Sequence, residues 1–297
     1  MSGDVPVRGA HTSGAREIRF NLRLQLLKKL IIYGLLIALA VTVIYPIAWT
    51  IISSLRDSEE FFQNPWGFPR GFDASVYEKV WNEHQLKYNL FNSVMLSAIA
   101  VSVSLVVSLM ASYAISRMKW RFSGLALAFF LMGIMIPVHS TIIPLYISMQ
   151  PIINSLGARF ALAIPYIAFN LPVSIFILTN FMRSIPSVLE EAAVIDGCSV
   201  PQLFLRIIVP TSLPAIATVS IFSFLGVWNE LLFALVFLSR NTEQTLPLGI
   251  LRFTGRYAVQ WSETLAAVSI AMIPSMVIYM ILQDRLIKGM TAGAVKG

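Results

Sequence analysis

Long apolar stretches alternate with polar connections along this sequence, and six of the stretches have the roughly 20 residues that a helix needs to cross a bilayer. The pattern therefore predicts an all-α, polytopic membrane protein with six transmembrane helices. The predicted spans are residues 26–53, 90–115, 124–149, 160–181, 212–238 and 264–286. The transmembrane domain would then cover residues 26–287, between a polar arm at 1–25 and a tail at 288–297.

The polar connection at residues 183–211 carries helix signals of its own. Ser187 is followed three residues later by Glu190, and Ser199 is followed three residues later by Gln202. Each pair predicts a capping box at the start of a helix. The connection is therefore expected to hold two short helices at the membrane surface.

Gly197 predicts the end of the first of these helices, because glycine takes the left-handed conformation after a helix without steric cost. Leu189, Ala192 and Ala193 fall close together on one face of that helix. The two small alanines would let another backbone approach closely. Pro210 would end the second helix.

Lys and Arg predict which side of the membrane each connection occupies, because short cytoplasmic connections are enriched in both. If there are six crossings, three basic groups share one side, which is expected to be the cytoplasm. Both termini and the 183–211 connection then lie in the cytoplasm. The basic residues concerned are Arg8, Arg16, Arg19, Arg23, Lys28, Lys29, Arg117, Lys119, Arg121, Arg285, Lys288 and Lys296.

Composition agrees with a membrane protein, since 57% of the residues are hydrophobic and 12% are charged, against about 25% charged in soluble domains. The net charge of +7 comes from residues that flank the apolar spans, which favours anionic lipid over nucleic acid as the attracting partner. The polar N-terminus lacks the apolar region of a secretory signal peptide. The single cysteine, Cys198, excludes an intrachain disulfide.

Polar residues inside the predicted spans are candidates for a substrate pathway. Trp228, Asn229 and Glu230 fall in the fifth span, where an acid costs roughly 2.5–3.5 kcal/mol to insert. Glu230 should therefore face a cavity or a partner. The alternative is a hydrogen bond between helices with no contact to substrate.

Asn170 is the fourth pathway candidate and lies in the fourth span between Pro165 and Pro172. Two prolines predict a kinked or broken helix, whose freed carbonyls could line a polar space. Pro137 and Pro144 predict the same for the third span. Interhelical hydrogen bonding is an equally good interpretation of Asn170.

Motifs of nucleotide, metal and hydrolase chemistry are missing from the sequence. It has no G-x-x-x-x-G-K-S/T phosphate loop, no His/Cys cluster with metal-ligand spacing and no G-x-S-x-G nucleophile turn. We therefore expect neither an enzyme nor a chain that binds a cofactor.

The 183–211 connection resembles the signature loop of the permeases of binding-protein-dependent ABC importers. That loop reads Glu-Ala-Ala, three residues, Gly, nine residues, Ile, one residue, Leu and Pro. The corresponding residues, with Val in place of Leu, are Glu191, Ala192, Ala193, Gly197, Ile207, Val209 and Pro210. The Trp228-Asn229-Glu230 sequence and the tail from Lys288 to Gly297 are similar to carbohydrate permeases of the smaller maltose-permease type.

The resemblance implies the type I ABC importer transmembrane fold in a bacterial or archaeal cytoplasmic membrane. It also implies a second permease chain, with a different chain favoured, an ATPase dimer that holds ATP and Mg, and an extracytoplasmic solute-binding protein. The chain would serve as a sugar or oligosaccharide permease, and the signature loop would couple it to the ATPase. The coupling residues would be Glu190, Glu191, Ala192, Ala193, Asp196 and Gly197.

Three alternatives stay open at this point. One is an ABC permease for another solute, such as a polyol, a glycerol phosphate or a peptide. Another is a secondary transporter driven by an ion gradient, although the sequence lacks the internal repeat found in many of them. The last is a membrane scaffold, in which Asn229 and Glu230 could be replaced freely.

Overall fold

The computed structural model describes residues 11–118, 120–253 and 260–294, and the regular elements among them are helical. The first half of the chain has one long helix, then two short helices, and then four further helices. Its α-helices are α1 His11–Ser54, α2 Ser58–Gln63, α3 Ser75–Asn82, α4 Leu86–Ser116, α5 Ser123–Met132, α6 Ile142–Leu156 and α7 Ala158–Ser184. Two 3₁₀ turns, Gly133–Met135 and Val138–Thr141, separate α5 from α6.

The second half starts with short helices and ends with a long one. Its α-helices are α8 Val188–Ile195, α9 Val200–Leu203, α10 Val209–Thr211, α11 Leu213–Trp228, α12 Leu232–Phe237, α13 Leu246–Leu251 and α14 Trp261–Ala294. A π turn, Phe204–Ile208, joins α9 to α10, and a 3₁₀ turn, Asn241–Glu243, precedes α13.

Within the described residues, four helices are long and apolar enough to cross a membrane by themselves. Two further pairs of helices meet the same criterion but bend sharply, Ser123–Met135 with Val138–Leu156 by 84° and Val200–Thr211 with Leu213–Trp228 by 74°. Counting each bent pair as one span gives six. The four straight candidates are Gln25–Ser54, Leu86–Ser116, Ala158–Ser184 and Trp261–Asp284.

Prolines act differently in the third and fourth spans. The chain breaks at Pro137, where Ile136 takes the extended backbone that a following proline favours. By contrast, α7 is one continuous helix through Pro165 and Pro172. Of the kink or break expected in the fourth span, the break is absent, because flanking turns keep the helix continuous despite two missing N–H groups.

The centre of the bundle is the contact between α4 and α7. One face of α4 carries buried serines, and Ser112 Oγ donates a hydrogen bond to the Ile175 carbonyl of α7 at 3.2 Å. Small side chains at this spacing let two helix backbones approach closely. In α4, Ser97, Ser104 and Ser108 are buried, whereas Ser102 is exposed.

The end of the bundle that carries α8 is called the α8 end below. At the opposite end, the segment from Thr242 to Leu246 is fixed to the start of α4. Asn92 Nδ2 donates to the Thr242 carbonyl at 2.9 Å, and the Leu246 N–H donates to Ser93 Oγ at 2.7 Å. Asn89 is buried beside the same segment. These bonds give a loop between two spans a fixed position.

The long connection after α1 is also folded at the opposite end. Arg56 is fully buried, and its Nη2 donates to the Asn64 carbonyl at 2.7 Å. Trp261, at the start of α14, stacks on Phe61 with the ring centres 5.3 Å apart.

Candidate functional site

The start and end of α8 are built differently. At the start, Ser187 has helical backbone angles and its side chain makes no capping hydrogen bond. The predicted capping box between Ser187 and Glu190 was therefore wrong: a helical N-cap does not aim its hydroxyl at the first turn. Where α9 begins, the Ser199 N–H donates to Gln202 Oε1 at 2.9 Å, as the second predicted capping box requires.

The elbow after α8 is a complete Schellman motif. Gly197 has φ +80°, its N–H donates to the Val194 carbonyl at 3.0 Å, and the Cys198 N–H donates to the Ala193 carbonyl at 2.9 Å. These two bonds satisfy carbonyls that would otherwise end the helix unpaired. A Cβ placed on Gly197 would have no heavy atom within 4 Å, so conformation, and not space, makes glycine necessary here.

The signature residues of α8 divide between two faces. Ala193 is buried among Tyr113, Met182 and Ile208, which belong to three other segments. Glu190, one turn earlier on the same face, is also turned toward the bundle. Ala192, which we expected beside Ala193 on a single contact face, is exposed.

The outward face of α8 is apolar with an acid at its edge. Ile195 is 84% exposed, and Leu189, Val194 and Glu191 are exposed as well. Apolar side chains that project from a helix beside a bundle are typical of a docking surface for another protein. This face is called the α8 outer face below.

One arginine joins the inner face of α8 to two long helices. Arg117 follows directly after α4, and its Nη1 lies 2.9 Å from Glu190 Oε1. Its Nη2 donates to the carbonyl of Ile185 at 2.6 Å and to that of Met182. In the sequence, Arg117 is one of the positive charges that predict orientation, and nothing in its neighbourhood predicts this role.

The Trp228-Asn229-Glu230 sequence lies at a helix break, not inside a continuous span. We expected a span over residues 212–238, but α11 ends at Trp228 and α12 begins at Leu232. Glu230 supplies the bonds that such a break needs. Its Oε1 accepts from the Phe233 N–H at 2.8 Å, and its Oε2 accepts from the Ala234 N–H at 3.2 Å.

A third donor to Glu230 comes from α7. Tyr166 Oη donates to Glu230 Oε2 at 2.6 Å, and Asn170 Nδ2 donates to the Tyr166 carbonyl at 2.7 Å. Backbone donors at a helix start and a phenol together offset the cost of placing an acid among apolar residues. Tyr166 was missed in the sequence, although it precedes Asn170 by one helical turn.

Trp228 is buried, and its indole N–H donates to the Ala271 carbonyl of α14 at 3.2 Å. Asn229 is exposed and borders a cavity of about 600 Å³ between α11, α13 and α14. Its Nδ2 donates to the Leu225 carbonyl at 2.9 Å, and its side-chain oxygen can still accept a hydrogen bond from another donor. Of the four pathway candidates, Asn229 is therefore the most accessible.

Comparison with known proteins indicates a membrane component of a transport system. The model of the family described as "binding-protein-dependent transport system inner membrane component" matches residues 104–292. A putative ABC transporter permease protein, ORF2, of Caldicellulosiruptor sp. (strain Rt8B.4) is 41% identical over 253 residues, covering 85% of this chain and 91% of the relative. The trehalose/maltose transport system permease protein MalG of Thermococcus litoralis is 29% identical over 280 residues, covering 93% of this chain and 100% of the relative.

A solved structure shares the fold. It is the crystal structure of a bacterial ABC transporter involved in the import of the acidic polysaccharide alginate. One of its chains superimposes with a TM-score of 0.71 at 20% identity, covering 95% of this chain and 100% of that chain.

Proposed function

Because the chain belongs to the family of binding-protein-dependent transport system inner membrane components, we propose that it is a sugar or oligosaccharide permease subunit driven by a separate ATPase. The Schellman-ended α8 with an exposed apolar face carries this proposal. Such a helix is a stiff element that another protein can push. The sugar class is supported by similarity along nearly the whole chain to a trehalose/maltose permease.

The α8 outer face is the proposed contact with the ATPase. Glu191 and Ala192 lie on this face, and Gly197 with Asp196 fixes its angle. Glu191 is available to pair with a basic group of the ATPase, which would hold ATP and Mg. Glu190 and Ala193 belong to the same predicted coupling set, and because both face the bundle, we propose that they contribute by seating α8 on it.

The α8 end is proposed to face the cytoplasm, together with both termini, and the opposite end to face the solute-binding protein. Arg117 and Arg121 at the α8 end agree with the enrichment of basic residues in cytoplasmic connections. The domain limits remain part of the proposal, with an arm at 1–25, a transmembrane domain at 26–287 that includes the coupling loop at 183–211, and a tail at 288–297. A second permease chain would complete the pathway.

The substrate pathway is proposed to pass beside Asn229. An accessible amide beside a buried indole can hydrogen-bond a sugar hydroxyl next to an apolar surface. Trp228 and Glu230 shape the break that holds Asn229 in place, and Asn170 extends the same hydrogen-bonded chain on α7.

The test is purification in mild detergent followed by reconstitution into vesicles. The chain is expected to bring down an ATPase and a second permease chain, and the assembly should import a sugar when its solute-binding protein and ATP are supplied. A mixed panel of sugars, polyols, glycerol phosphates and peptides would identify the solute. Uptake by this chain alone, driven by an ion gradient without ATP, would overturn the proposal.

A further inference from the structure

We propose that Arg117 is a positioning residue that transmits the movement of α8 to the membrane helices α4 and α7. This inference rests on the proposed function, in that it assumes an ATPase pushing on the α8 outer face. It adds the route by which that push enters the membrane domain.

The route follows from what Arg117 touches. Its guanidinium meets α8 through Glu190 and meets the end of α7 through the carbonyls of Met182 and Ile185. The arginine itself continues the backbone of α4 beyond Ser116. One side chain thus joins three elements. It donates to the carbonyl of Ile185, the residue after α7, and it adds a second donor to the Met182 carbonyl, which already accepts from the Ile185 N–H.

Burial makes these contacts durable. The side chain of Arg117 is 11% exposed and that of Glu190 is 19% exposed. Water therefore cannot easily replace either partner, and separating them would leave a charged group unpaired in a largely dry setting. Such a pair keeps its geometry when load is applied, unlike an exposed ion pair of two long side chains.

Apolar packing alone would not specify the direction of movement. Ala193 packs into the bundle, and Tyr113 contacts Phe204 of the π turn with ring centres 5.1 Å apart. Contacts of this kind are non-directional, so surfaces can slide past one another. The planar guanidinium is directional, since its N–H groups form a fixed fork that a lysine ammonium cannot reproduce.

The experiment measures import and ATP hydrolysis in the same vesicles, using the full assembly with its solute-binding protein. For Arg117→Gln we expect hydrolysis to stay near the wild-type rate while sugar imported per ATP falls about tenfold. Arg117→Lys, which keeps the charge but not the fork, should rescue part of the loss. Glu190→Gln should lose less than Arg117→Gln because both carbonyl bonds remain.

Arg121→Gln is the matched control. Arg121 lies in the same connection, is exposed and stacks its guanidinium over the Phe122 ring at 4.7 Å. The Arg121→Gln substitution removes the same charge but no contact with α7 or α8. The amount of sugar imported per ATP hydrolysed should therefore stay at the wild-type value. A fall in Arg121→Gln equal to that in Arg117→Gln would overturn the proposal, because it would trace the effect to charge alone.

An unchanged ratio in Arg117→Gln would also overturn the proposal. If that variant fails to assemble, Arg117→Lys and Glu190→Gln decide, and wild-type ratios in both refute the role of Arg117. Either outcome leaves the proposed function standing, provided that the wild-type assembly imports sugar at the expense of ATP. Absence of ATP-driven import in the wild-type assembly would instead overturn both.

Discussion

Replacing Gly197 by a series of residues tests whether the elbow after α8 must hold a left-handed conformation. The backbone at Gly197 has φ +80°, and a Cβ there would meet nothing within 4 Å. The penalty for a side chain is therefore conformational. Alanine should cost about 1 kcal/mol and valine about 2 kcal/mol, whereas asparagine, which tolerates this region, should cost a few tenths.

These free-energy costs determine the fraction of molecules in which α8 is packed on the bundle as in the structure. A cost of 1–2 kcal/mol changes a two-state population by roughly 5–30-fold. Sugar imported per ATP should therefore fall in the order Gly, Asn, Ala, Val. Gly197→Pro should be the most severe change, since proline fixes φ near −65° and removes the N–H that donates to Val194.

The assay is ATP-driven sugar uptake in reconstituted vesicles, with hydrolysis measured in parallel. Gly124→Val is the matched control, because a Cβ at Gly124 also meets open space and its φ is not positive. This control should transport normally. Equal coupling in the asparagine and valine variants of Gly197 would refute the argument that backbone conformation at the elbow sets the position of α8.

Four further results are expected. Ala192→Phe should leave the thermal midpoint of the purified chain unchanged while weakening ATPase capture. Ala193→Phe should overpack the bundle by about 1–3 kcal/mol and lower that midpoint, and equal midpoints for the two variants would contradict the assignment of faces. Tyr166→Phe removes one hydrogen bond to a carboxylate and should cost about 1.5–3 kcal/mol of unfolding free energy, so an unchanged stability would argue against the contact. In intact cells, Cys198 should react with a membrane-permeant maleimide and not with an impermeant one; reaction with the impermeant reagent would place α8 outside. Lys79 of α3 donates a hydrogen bond to Glu263 of α14, and this bond together with the charge of the carboxylate raises the pKa of Lys79 above 10.5. The stabilising effect of the pair is therefore fully present below pH 10.5 and is lost as the pH rises through the raised pKa. The difference in thermal midpoint between wild type and Lys79→Met should therefore be constant at neutral pH and shrink above pH 10.5.

Sequence periodicity was sufficient to predict the class of fold and the elbow in the 183–211 connection. Hydropathy identifies long apolar stretches, and a glycine after a short amphipathic segment identifies a left-handed helix end. Both are local properties. The signature motif likewise predicted the family because its fixed positions lie within twenty residues of one another.

Contacts between segments that lie far apart in the sequence could not be predicted from such local patterns. Whether Ala192 or Ala193 faces the bundle depends on the roll of α8 about its axis, which the packing of Ala193 against Tyr113 and Ile208 decides. Glu230 lies 64 residues from Tyr166, so the sequence indicated an expensive acid but not its partner. The break after Trp228 was also missed, because the residues on both sides of it are apolar and hydropathy alone predicts one continuous span.

The 31 residues of α4 contain neither proline nor glycine, and they extend about 46 Å at 1.5 Å per residue. At one end of α4, Arg117 forms an ion pair with Glu190 of α8. Near the other end, Asn92 and Ser93 hydrogen-bond the segment from Thr242 to Leu246. Such a helix is a rigid connection between the two ends of the bundle. A tilt of about 5° about one tip would carry the far tip through roughly 4 Å, so a small change of angle on one membrane face would become a displacement of roughly 4 Å on the other face.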